Sequence, residues 1–126
     1  MTITPARDLV TRANQEVETI DVAAAKALLG RDDVQFVDVR ERHEWEGGHI
    51  PGAVHVPRGL LEFLADPSNP NHVAELHTGK KLVLYCGSGG RSALAAKTLK
   101  DMGFTNVCHM AGGFGGWQEA GYVVKR

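Results

Sequence analysis

Apolar residues along this chain fall into short β-branched runs, separated by longer stretches with helical spacing. Arg7 to Ile20 is mostly polar with few apolar anchors and predicts an amphipathic helix packed on the outside. Asp21 is suited to cap a second helix, Val22 to Leu29, which Gly30 stops. Val34 to Val39, VQFVDV, has the opposite pattern: a short apolar run that ends in charged residues, as a buried strand does where it leaves a sheet. Helical turns and loops are expected from Arg40 to Glu46. GGHIPGAVHVP then turns through Pro51 and Gly52 into a strand, Ala53 to Val56, and Gly59 to Ala65 is helical again.

Asp66 to Lys80, rich in Pro, Asn and His, reads as a loop. Lys81 to Tyr85 is the next strand, Ser92 to Met102 a helix of Ala, Leu and Lys, and Asn106 to Met110 the last strand. GGFGGW, Gly112 to Trp117, leads into a short terminal helix. Strands alternating with helices of this length predict an α/β fold with three layers: a mostly parallel central sheet and helices on both faces. Ligands of such sheets bind beyond the carboxyl ends of the strands. Cys86 stands at such an end.

The 126 residues suit one domain, and 14 basic against 15 acidic side chains leave a net charge of -1. That balance gives no reason to expect a nucleic-acid or membrane partner. The first twenty residues contain no apolar core of signal-peptide length, and nowhere is there a run of the roughly 20 apolar residues needed to span a bilayer. A cytoplasmic protein is expected. Two cysteines, Cys86 and Cys108, are too few for a disulfide framework and would persist as thiols in a reducing compartment. The six histidines, His43, His49, His55, His72, His77 and His109, show no ligand spacing with either cysteine, so no metal is expected.

The stretch YCGSGGRS carries the candidate chemistry. Cys86 leaves a strand, Gly87, Ser88, Gly89 and Gly90 form a turn without bulk, and Arg91 and Ser92 open a helix. Glycines permit the dihedral angles that aim successive N–H groups at one point, and the helix start adds unsatisfied donors. Such a nest, with a nearby arginine, lowers a cysteine pKa from ~8.5 toward ~3.5–7.5 and makes it a nucleophile. The bland alternative is a buried structural thiol beside a glycine turn.

CGSGGRS, together with DVRERHEWEGGHIPGAVHVP and GFTNVCHMAGGFGGW, resembles a single rhodanese domain, of the sulfurtransferase family. The resemblance runs from about Asp21 to Val123 and leaves residues 1–20 as an N-terminal helical extension to a domain of residues 21–126. It implies a sulfurtransferase without organic cofactor, in which Cys86 takes sulfur from a small anionic donor such as thiosulfate and yields it to a thiol or cyanide. Gly87, Ser88, Gly89, Gly90, Arg91 and Ser92 would bind the transferred group. Cysteine phosphatases and arsenate reductases use a similar loop, but with C-x5-R where Cys86 to Arg91 is C-x4-R, a size suited to one sulfur atom. A sulfur-relay or regulatory module acting on a protein partner is the other alternative.

The family's thiosulfate loops carry cations at their second and fourth positions, where this chain has Gly87 and Gly89. CGSG is similar to the mercaptopyruvate enzymes, although Arg91 stands where those have threonine. Arg58, after the strand at Val56, is the candidate second cation for the donor. Asp38, Arg40 and His49 match family positions and are expected to hold loops in place, and Cys108 to be a buried inert thiol. Trp45, Phe36, Phe104 and Trp117 are expected in or beside the core, with Gly112 and Gly113 serving a tight turn.

Overall fold

A computed structural model describes residues 2–126. Helix α1 is Ala6–Glu16, strand β1 Glu18–Ile20, α2 Val22–Leu28, β2 Val34–Asp38, α3 Arg42–Glu46 and β3 Val54–His55. A 3-10 turn, Arg58–Leu60, runs into α4, Leu61–Ala65. Then come β4 Lys81–Tyr85, α5 Gly90–Asp101, β5 Val107–Met110 and α6 Gly113–Glu119. The five strands form one sheet in the order β1-β5-β4-β2-β3, with every pairing parallel. The expected three-layer α/β architecture is therefore present.

Strand residues alternate between the two faces and so fill two cores. Leu82, Leu84 and Cys86 join Leu61 and Ala65 of α4 and Ala95, Ala96 and Leu99 of α5 on one side. Val83 and Tyr85, with Cys108 and Met110 of β5, join Ala25 of α2 and Phe114 and Trp117 of α6 on the other. The two cysteines thus belong to opposite faces of the sheet.

One expectation is corrected. The helix expected from Arg7 to Ile20 ends at Glu16, Val17 is extended, and Glu18, Thr19 and Ile20 pair with Cys108, His109 and Met110 as an edge strand. Thr19 and Ile20 are β-branched, and the free edge of β5 offers them a ladder that outweighs local helix preference. Helix α1 keeps a stripe of Val10 and Ala13, continued by Val17 at its C-cap, with Ala13 and Val17 buried. It lies along α5, where Lys97 approaches Glu16 at 3.6 Å. Asp21 caps α2 as expected, its carboxylate accepting from the Ala24 N–H at 2.8 Å.

Candidate functional site

Cys86 is buried at the carboxyl end of β4, and its Sγ is the point on which the loop converges. The N–H of Gly89 donates to it at 3.0 Å and that of Ser92, in the first turn of α5, at 3.4 Å. Ser92 Oγ lies 3.5 Å from the sulfur. Gly89 takes φ +123°, a backbone conformation costly for any residue with a side chain, and this turns its N–H inward. Burial pushes the Cys86 thiol up, but the Ser92 hydroxyl and the amides of Ser92, Gly89 and Ser88 outweigh it, so the pKa lies below the ordinary thiol value.

Helix α6 closes one side of this loop. The N–H groups of Phe114 and Gly115 donate to the carbonyls of Cys86 at 2.7 Å and Gly87 at 3.1 Å. Gly113, expected to serve a tight turn, has a second role: it passes within van der Waals distance of the cysteine peptide. Gly87 and Gly90 are half-buried and Ser88 is the exposed residue of the loop.

Arg91 lies beside Gly87 with its guanidinium held by Glu44 of α3, Nη1 to Oε1 at 2.7 Å and Nη2 to Oε2 at 3.1 Å. Hydrogen bonding to Arg91 holds the Glu44 carboxyl at about 2. The arginine charge is therefore balanced locally, and the direct contacts to the sulfur come from amides and a hydroxyl. Nothing in the sequence marked Glu44 as the partner, since it falls in a run of charged residues far from Arg91 along the chain.

Arg58 is placed elsewhere. Its guanidinium donates to Glu62 at 3.1 Å and to Thr98 Oγ1 at 3.2 Å, about two turns along α5 from Arg91. The polar contacts of its guanidinium are thus with Glu62, one turn on in the following helix, and with α5, rather than with the Cys86 loop.

Asp38 and Arg40 form a buried ion pair, Nη2 to Oδ2 at 2.8 Å. Arg40 also donates to the Gly48 carbonyl at 2.7 Å and lies 4.3 Å over the Phe114 ring, tying the end of β2 to the α3–β3 loop and α6. His49 stacks on Trp45 at 3.5 Å, with Nδ1 3.3 Å from the Trp45 carbonyl, and His55 lies 5.0 Å from the same indole. These side chains brace loops, as expected. Cys108 is buried on the far face, and burial pushes its thiol up to about 11.

His109 is a site neighbour that the sequence did not reveal. Its Nδ1 lies 3.0 Å from Ser92 Oγ and its Nε2 2.7 Å from Asn14 Oδ1 on α1. The imidazole is buried, and burial lowers its pKa.

The profile of the Rhodanese-like domain matches residues 21–120. The chain belongs to the rhodanese-like family. It is 35% identical over 102 residues to "Putative sulfur carrier protein YrkF" of Bacillus subtilis (strain 168), covering 80% of this chain and 51% of that protein. It is 30% identical over 113 residues to "Protein HIGH ARSENIC CONTENT 1, mitochondrial" of Arabidopsis thaliana, covering 86% and 66%. The chain thus spans about half to two thirds of the length of these relatives. A solved structure from Rhodopseudomonas palustris CGA009, of unknown function and called a possible tyrosine phosphatase, superposes with TM-score 0.93 at 44% identity, over 99% of this chain and 98% of that one. The rhodanese-like match begins at Asp21, so α1 and β1 lie outside it, whereas the superposition reaches into both. Among the described residues, no helix is long and apolar enough to cross a membrane.

Proposed function

We propose that this rhodanese-like domain is a sulfurtransferase in which Cys86 carries sulfane sulfur from a thiosulfate-like anion to a thiol or cyanide. The observation that carries the reading is the convergence of the Gly89 and Ser92 N–H groups on Cys86 Sγ, with the thiol pKa lowered against its burial. The thiolate attacks the outer sulfur of the donor. The donor's S–S bond breaks, sulfite leaves with the electron pair, and Cys86 is left as a persulfide anion. Attack by the acceptor thiolate on the outer sulfur then returns the Cys86 thiolate.

The amides from Gly87 to Ser92 stabilise negative charge on whichever sulfur is terminal, and the donor enters past exposed Ser88. Arg91, held beside the loop by Glu44, borders the donor's place next to Gly87, with its charge balanced by that carboxylate. The C-x4-R spacing weighs against a phosphatase, whose loop must surround a phosphoryl group. The named sulfur carrier among the relatives favours a protein thiol as acceptor. Thiols on both partners suit a reducing compartment such as the cytoplasm.

Intact mass of the reduced protein, after mixing with thiosulfate or with mercaptopyruvate, tests the proposal. A gain of one sulfur, lost on adding cyanide and absent in Cys86→Ser, is expected. Hydrolysis of an aryl phosphate or reduction of arsenate, without sulfur uptake, would overturn it.

A further inference from the structure

The hydroxyl of Ser92 stands between two groups that can each hold a proton. Cys86 Sγ is 3.5 Å from Ser92 Oγ on one side, and His109 Nδ1 is 3.0 Å from it on the other. Ser92 and His109 are both buried. The line continues from His109 Nε2 to Asn14 Oδ1, 2.7 Å away on α1. A carboxamide oxygen only accepts, so Nε2 carries a hydrogen and, in the neutral ring, Nδ1 is the bare acceptor.

With the Ser92 hydroxyl donating to His109 Nδ1 at 3.0 Å in preference to its other acceptor, the Gly89 carbonyl at 3.3 Å, two proton arrangements satisfy every atom in the line. In the first, the Cys86 S–H donates to Ser92 Oγ, the Ser92 O–H to His109 Nδ1, and Nε2–H to Asn14. In the second, the thiol proton has passed to Ser92 Oγ and the former Ser92 proton to Nδ1. The thiolate then accepts from Ser92, and the imidazolium, which burial by itself disfavours, is held by donating to both Ser92 and Asn14. No proton leaves the line, and the two states differ by one S–H bond broken and one N–H bond formed.

We infer that Ser92 and His109 form an internal proton relay that accepts the Cys86 thiol proton, with Asn14 of α1 as the positioning residue that makes Nδ1 the accepting atom. The inference rests on the reading of Cys86 as the nucleophile, and it gives α1, outside the family match, a part in the chemistry. Helix α1 is anchored for this by Ala13 and Val17, buried on the same face, and by Val10, whose side chain reaches Gly90 at the start of α5.

The surrounding charges are few. Asn14 from α1, Thr19 in register on β1, Leu84 in register on β4 and Ser92 from α5 face His109, and none is charged. Near Cys86 the charged groups are Arg91 of α5 with Glu44 of α3, and Glu41 beside them. The backbone of α6 meets the cysteine peptide through the N–H groups of Phe114 and Gly115.

The test is the pH profile of Cys86 alkylation by iodoacetamide in the reduced protein with no sulfur donor present, read at the Cys86 peptide by mass. His109→Gln removes the proton acceptor and should raise the midpoint by about one pH unit. Asn14→Asp should lower it. This second sign is the discriminating one, because a carboxylate acting directly on a thiolate would raise the midpoint by repulsion and lowers it only by stabilising an intervening imidazolium.

Asn14 keeps an exposed surface although its Oδ1 meets His109, so Asn14→Asp is expected to fold and decides the matter alone if far-UV circular dichroism shows that His109→Gln does not. A rise or no movement in Asn14→Asp, or no movement in folded His109→Gln, overturns the relay. A profile that moves as expected in a protein that takes up no sulfur keeps the relay and rejects the sulfurtransferase. Sulfur uptake with a static profile does the reverse.

Discussion

Gly113 presses against the peptide of Cys86. A β-carbon there would stand 2.7 Å from the Cys86 carbonyl oxygen and 2.5 Å from that of Gly87, closer than such carbons approach oxygen in proteins. The position also has φ +59°. The turn after β5 is thus shaped to let α6 reach the loop after β4, and the two hydrogen bonds from Phe114 and Gly115 fix the loop's height over the sheet.

Gly113→Ala should therefore act on both stability and the site. The left-handed conformation costs an alanine about 1–2 kcal/mol, and relieving the clash moves the loop at a further cost of about 1–3 kcal/mol. Gly121, with φ +77° and no atom within 4 Å of its β-carbon position, isolates the first term. Thermal denaturation should show Gly113→Ala clearly less stable than Gly121→Ala, and only the former should slow persulfide formation. Equal losses in the two variants would mean that the clash is absorbed without moving the loop.

The Glu44–Arg91 pair predicts an acid limb of stability. The folded carboxyl sits at about 2 against an ordinary value of 4.5, so the pair's contribution is complete above the unfolded value and is lost as pH falls from 4.5 toward 2. Both side chains are partly exposed, at 38% and 26%, so screening limits the effect to about 1 kcal/mol. Denaturant melts at pH 6 and pH 3 should show a smaller pH-dependent loss in Glu44→Gln than in the parent. The same variant should bind an anionic donor no worse at pH 7, since it frees the Arg91 charge.

Much of this was legible in the chain, and what was not has a physical reason. Lys81 to Tyr85 was readable because an apolar run bounded by a lysine and a glycine turn has few other fates, and Asp21 because a cap acts within three residues. The cysteine loop was readable for the same reason, its donors all lying within six residues of Cys86. Strand β1 was not, because three residues after a helix become a strand only when a partner edge is available. Glu44 with Arg91, and Asn14 with His109, are pairings across the fold, and neither member announces the other in sequence. Arg58 was assigned to the site by its place after a strand, whereas Glu62, one helical turn on, decides where its side chain goes.

The buried Asp38–Arg40 pair should be far more sensitive than the surface pairs. Removing the carboxylate in Asp38→Ala strands a guanidinium with side-chain exposure of 6%, which costs about 3–5 kcal/mol. Arg42→Ala, which breaks an exposed pair with Glu46, should cost under about 1 kcal/mol. Chemical denaturation of the two variants checks the contrast.

The two thiols should separate by reactivity. Cys86 has amide and hydroxyl donors that hold its pKa below the ordinary thiol value, while Cys108 is pushed up to about 11 by burial on the opposite face. A thiolate, not a thiol, is the alkylated species, so at pH 7 iodoacetamide should modify Cys86 at least tenfold faster than Cys108 in the folded protein. In denaturant the difference should collapse, because both environments vanish together. Cys108→Ala should keep sulfur uptake within about twofold of the parent, whereas Cys86→Ser should abolish it. Loss of uptake in a folded Cys108→Ala would instead make Cys108 a participant, and would require the two faces of the sheet to communicate through β4 and β5.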